Sequence, residues 1–81
     1  MTKAAKAKNI VGRRIAERRS SLQPPLTQDA LSGRLARAGI QLDRAAIAKI
    51  ETNRRSVLDY ELKAIAEVLG VKVDWLLRDV Q

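Results

Sequence analysis

The stretch Leu26–Arg55, LTQDALSGRLARAGIQLDRAAIAKIETNRR, constrains this 81-residue chain more than any other part of it. Thr27 can cap a helix opened by Gln28 and Asp29, and Leu31 and Leu35, one turn apart, give that helix an apolar stripe. The pattern predicts a helix running to about Ala38 and stopping at Gly39, a residue able to take the left-handed conformation that closes helices. Asp43 is a second cap, and Ile47 and Ile50 share one face of a following helix, Arg44 to Thr52. Ser32 and Gly33 are small enough to let the second helix cross the first closely. The expectation is two short helices meeting at a corner, the second beginning on a basic residue.

The flanks read as three more helices. Asn9 is the expected N-cap of the first, with Val11, Ile15 and Leu22 facing inward, and Ser20, Ser21, Pro24 and Pro25 end it. Arg18 sits on its inward edge, where its stem can be buried while the guanidinium stays wet. Near Asp59 a fourth helix starts, with Leu62, Ile65, Ala66 and Leu69 on one stripe and Gly70 as its stop. Val73, Trp75, Leu76 and Leu77 form a short last helix over the base of the core, and Trp75 is read as a core or dimer contact. The whole is an all-α chain of one small domain, large enough for a modest core without staples.

Composition excludes several function classes. With no Cys and no His, disulfide frameworks, common zinc sites and His-based catalysis are out, and neither a metal nor a cofactor is expected. One Tyr and no convergent acid pair leave little for an enzyme to work with. No apolar run approaches the roughly 20 residues needed to span a bilayer, and the N-terminus lacks the apolar segment of a secretory signal. The expected location is therefore cytoplasmic, and membrane association through the first helix is weak without a bulky aromatic face. Only Tyr60 and Trp75 are aromatic, which disfavours the stacking platforms of single-strand binders and favours duplex binding.

The formal net charge is +7, and its placement is uneven. Residues 1–22 hold seven basic side chains against Glu17 alone, and residues 23–58 hold six against three acids, whereas residues 59–81 hold three against five. A phosphate backbone is attracted to the basic side so defined, which coincides with the first three helices. The segment Met1–Lys8, MTKAAKAK, reads as a flexible basic tail, with a DNA-wrapping arm or an extension of the first helix as alternatives.

Four segments, NIVGRRIAERR (Asn9–Arg19), LTQDALS (Leu26–Ser32), IAKIETNRR (Ile47–Arg55) and DYELKAIAEVLGVKVDWLL (Asp59–Leu77), together resemble the phage-repressor and Cro type (XRE-like, lambda-repressor-like) helix-turn-helix family. The resemblance covers nearly the whole chain and implies a compact five-helix DNA-binding domain over residues 9–79, with the helix-turn-helix in helices two and three. It implies a transcription regulator of bacterial or phage type, a repressor rather than an activator, acting as a homodimer on a two-fold related duplex site and associated with the nucleoid. The other reading is an antitoxin or partner-binding subunit that uses the same fold for protein contact, through the patch on helices four and five.

In that family the third helix, here about residues 43–52, lies in the major groove with its first residues at base edges. Arg44, Ala45, Ala46, Ala48 and Lys49 are then the groove-facing candidates. Arg44 is the best base reader because its fork can bond guanine O6 and N7 together; Lys49 reaches a base or a phosphate, and Ala45 and Ala46 offer little beyond contact with a thymine methyl. Gln28 resembles the glutamine that holds the phosphate backbone and braces the recognition helix, and Arg54 and Arg55 resemble the family's phosphate-contacting basic residues. Asn53, a DNA-binding candidate with them, stands where the family often has glycine, and asparagine tolerates left-handed backbone well. Arg19 and Glu51 match a family ion pair between the ends of helices one and three. The chain departs from the family pattern in two places. Leu35 and Arg44 are nine positions apart where four is commoner, so about five extra residues are expected as an added turn on helix two plus Ile40, Gln41 and Leu42, with both apolar residues tucked into the core. Asp43 replaces the usual Ser or Thr, which caps well but repels phosphate unless it accepts from a cytosine amino group.

Overall fold

The computed structural model describes residues 7–78. Helix α1 spans Gly12–Ser21, later than an Asn9 cap would ordinarily start it, yet Asn9 does cap it: its Oδ1 accepts from the N–H groups of Val11 and Gly12 at 3.0 and 2.8 Å. Leu22 turns extended ahead of Pro24 and Pro25, and the helix ends. Helix α2, Gln28–Arg37, opens on Thr27, whose hydroxyl accepts from Ala30 N–H at 3.0 Å. Helix α3, Arg44–Glu51, opens on Asp43, whose carboxylate accepts from Ala46 N–H at 2.8 Å. Helices α4, Asp59–Leu69, and α5, Val73–Leu77, complete the all-helical chain.

Three helices end in the same way. After α2, α3 and α4 a residue with positive φ, respectively Gly39 (85°), Asn53 (64°) and Gly70 (71°), reverses the chain, and the next N–H reaches back to a carbonyl five residues earlier. Those bonds run from Ile40 to Leu35, Arg54 to Lys49 and Val71 to Ala66. An L-residue pays a steric penalty in this conformation, which is why two of the three are glycine and the third is asparagine.

The stripes meet in one core. Val11 just ahead of α1 and Ile15 within it, Leu31 and Leu35 from α2, Ile47 and Ile50 from α3, Ile65 and Leu69 from α4 and Leu76 from α5 are all at most 2% exposed. Burying each such side chain contributes roughly 1.5–3 kcal/mol, so this cluster is the main source of stability. Helix α3 packs on α1 and α2, α2 on α4, and α4 on α1 and α5. Between α2 and α3, Leu42 is buried and Ile40 half-buried, and Ser32 Oγ donates to the Leu42 carbonyl at 2.7 Å. Helix α2 gains only Ala36 and Arg37 beyond Leu35, about half a turn rather than a full one, and the remaining length lies in residues 38–43.

Two expectations are corrected. Gly33 does not serve the crossing of α2 and α3: it is exposed, and a Cβ there would meet no atom within 4 Å. The close approach is instead between α1 and α3, where a Cβ on Gly12 would run into the Ile50 carbonyl oxygen. Arg18 also does more than keep a wet guanidinium, since its Nε donates to the Leu69 carbonyl at 2.8 Å and satisfies the end of α4. Most of the basic tail expected over residues 1–8 lies outside the described residues; Lys8, at its end, donates its N–H to the Asn53 carbonyl at 3.0 Å.

Candidate nucleic-acid interface

Helix α3 has one face in the core and one in solvent. Ile47 and Ile50 are buried, Ala46 and Ala48 are half-buried, and Arg44, Ala45 and Lys49 are exposed. The spacing that sends the isoleucines inward carries Arg44, Ala45 and Lys49 outward. Of the five groove candidates, Ala46 is the most turned away, since it packs against the core cluster and its N–H is held by Asp43. Exposed Arg34 and Arg37 in the last turn of α2 and exposed Arg54 after α3 add positive charge. Arg44, Lys49 and Arg54 make no ion pair among the described residues.

The far end of α3 is clamped. Arg19 donates Nε to Glu51 Oε2 at 2.7 Å and its second nitrogen to Oε1 at 2.9 Å, a bidentate pair that is 17% and 7% exposed. Gln28 Nε2 donates to the same Oε1 at 2.9 Å, and the remaining Arg19 nitrogen donates to the Leu26 carbonyl at 3.0 Å. The Glu51 carboxylate thus ties the end of α3 to α1 and to the start of α2. Its hydrogen bonds, and the attraction of its charge, hold the Arg19 guanidinium above its ordinary pKa against the opposing effect of burial.

The loop after α3 treats its residues differently. Arg54 projects into solvent with Nε on the Thr52 hydroxyl at 3.0 Å. Arg55 is folded back, its guanidinium forking onto Glu61 at 3.1 and 3.3 Å and also donating to the Ser56 carbonyl. Asn53 is half-buried and its amide donates to Asn9 rather than outward. Glu61 does not stand out in the sequence, although a glutamate three residues after Leu58 is a familiar helix-start residue. Its carboxylate accepts from Leu58 N–H at 2.9 Å. Burial pushes the Glu61 carboxyl up, but hydrogen bonds from Arg55 and Leu58 and the Arg55 charge overcome it, holding the group below the usual carboxylate range. Trp75 is half-buried, with the Arg14 guanidinium 3.6 Å from its ring centroid and Arg14 Nε on its carbonyl at 3.2 Å.

No cluster of three or more His, Cys, Asp or Glu able to hold a metal occurs among the described residues. No described helix is long and apolar enough to cross a membrane. A family profile described as Helix-turn-helix matches residues 26–76, well over half of the chain. The chain belongs to the helix-turn-helix family of the phage-repressor (XRE) type. No curated protein and no solved structure matches it. The helix-turn-helix match begins at Leu26 and takes in α2 to α4 and all but the last residue of α5, leaving α1 outside it. Membership makes the protein a DNA-binding regulator in the general sense of the family.

Proposed function

We propose that this helix-turn-helix protein is a sequence-specific duplex DNA-binding transcription regulator, a repressor, that inserts α3 into the major groove. The observation that carries the reading is the outer face of α3, where Arg44, Ala45 and Lys49 are exposed while Glu51 fixes the helix end to α1 and α2. A base-reading helix needs this combination of free side chains and a rigid pose. In this reading Arg44 forks onto a guanine, Ala45 touches a thymine methyl, Ala48 lets the helix lie close, and Lys49 reaches a base or a phosphate. Gln28 fixes the register through a phosphate while bracing Glu51. The working unit is residues 9–79, acting as a homodimer on an inverted repeat in the cytoplasm of a bacterium or phage-infected cell, at the nucleoid.

The test is fluorescence anisotropy with a random pool of duplexes titrated at several salt concentrations, followed by sequencing of the bound fraction. Steeply salt-dependent binding that enriches an inverted repeat is the expected result, with Arg44→Ala relaxing the preference at one base pair by about 1–3 kcal/mol. Absence of binding at low salt overturns the reading.

A second reading, a partner-binding or antitoxin subunit, rests on an apolar surface that the first reading can also use. Ile10, Leu58, Tyr60 and Leu77 are large apolar side chains 42–69% exposed, and Ile10 and Leu77 line a shallow groove with Val57 and Leu62. A second copy of the chain would use that surface in the first reading, and a different protein would in the second.

A further inference from the structure

One side chain joins the beginning of α1 to the end of α3 and the loop after it. Asn9 Oδ1 caps α1, while its Nδ2 donates to the carbonyls of Ile50 at 3.0 Å and Arg55 at 2.7 Å. Asn53 reciprocates, its Nδ2 donating to Asn9 O and Oδ1 at 3.1 and 3.0 Å, and its carbonyl accepts from Lys8 N–H. Gly12 lets the two backbones touch at the same place. The end of α3 and the loop to Arg55 are therefore tied to the start of α1 by two amide side chains, beside the backbone bonds that close α3. The loop is pinned at Asn53 and at Arg55, whose guanidinium is also spent on Glu61, so the one cation left presented between the two pins is Arg54.

We infer that Asn9 is a positioning residue for DNA binding: the Asn9–Asn53 joint holds the loop after the recognition helix so that Arg54, and not Arg55, meets a phosphate. The inference rests on the duplex-binding reading above. A long arginine side chain on a loose loop loses conformational freedom when it docks, and a pinned loop has already lost part of it. Arg55 belongs to the scaffold, because its removal would leave the Glu61 carboxylate buried without a cation.

The experiment is a double-mutant cycle on binding to a labelled random-sequence duplex at several salt concentrations. Asn9→Ser keeps an oxygen able to cap α1 and removes both amide donors. Asn53→Gly keeps the positive φ without strain and removes the other amide, so it serves as the second variant should Asn9→Ser fold poorly. Each is expected to weaken binding roughly three- to tenfold, and Arg54→Ala is expected to lower the slope of log K against log salt by about 0.9. In the Arg54→Ala background, Asn9→Ser and Asn53→Gly are each expected to change affinity less than twofold, because the residue they position is gone. Circular dichroism fixes a temperature at which every variant is folded. An equal loss in both backgrounds, or no loss in either, overturns the positioning role and reduces the joint to a structural contact. A wild-type protein that binds no duplex at low salt refutes the duplex-binding reading itself, and the inference falls with it before any variant is made.

Discussion

Glu51 and Glu61 are both carboxylates buried against an arginine, and they make different predictions. Glu51 accepts from Arg19 and Gln28, so Glu51→Ala strands a guanidinium that is largely out of water. The expected cost is on the order of 3–5 kcal/mol, read as a large fall in the urea midpoint with an unchanged slope. An unmoved midpoint would reduce the pair to a surface contact. Glu61 carries the pH dependence. Its folded-state pKa lies below the unfolded value of about 4.3, so its contribution to stability is full above that value and is lost as pH falls through the lower, folded one. Glu61→Gln should therefore be less stable than the parent at neutral pH and lose less stability on acidification below about pH 4. Parallel stability curves for the two proteins in that range would count against the assignment.

At the scale of elements, α2 and α3 were the most legible in the sequence because each is written redundantly, with a cap at one end, a stripe along its length and a stop residue at the other. Thr27, Asp43, Gly39 and Gly70 each do locally what their chemistry favours anywhere. The packing of one element on another was less legible. Gly12 and Gly33 look alike in the sequence, each a glycine within a predicted helix, and the packing of α1 on α3 separates them. Likewise Arg54 and Arg55 are neighbours of identical chemistry, and the loop turns one to solvent and the other to Glu61. Asn9 was visible as a cap, but its second role needs the end of α3 beside it, 41 residues away. Gly33→Ala is expected to stabilise the protein by roughly 0.5–1 kcal/mol, since the site is open and helical; a fall in thermal stability would show that the position is packed after all. For α5, anchored by Leu76 at 0% exposure, Leu76→Ala should cost about 2–5 kcal/mol and can be followed by chemical denaturation. A cost below the range would mean that α5 is dispensable to the core.

The molecule as a whole is electrically uneven along its sequence, basic through Arg55 and mildly acidic from Asp59 onward, which suits a protein that turns its basic part to a polyanion. Deleting residues 1–6, which carry Lys3 and Lys6, should weaken duplex binding across all sequences and flatten the salt slope by up to about 0.9 for every phosphate that is no longer neutralised. An unchanged slope would remove those lysines from the interface. The meeting of α1 and α3 at Gly12 also shapes what mutation can do to this protein. Every missense change at that codon installs at least a methyl group against the Ile50 carbonyl, prising α1 off α3 without touching a side chain of the core cluster or of the exposed face of α3. In a genetic screen for loss of function, codon 12 should recur among the hits with no preference for the incoming amino acid, while codon 33, also glycine, should stay silent.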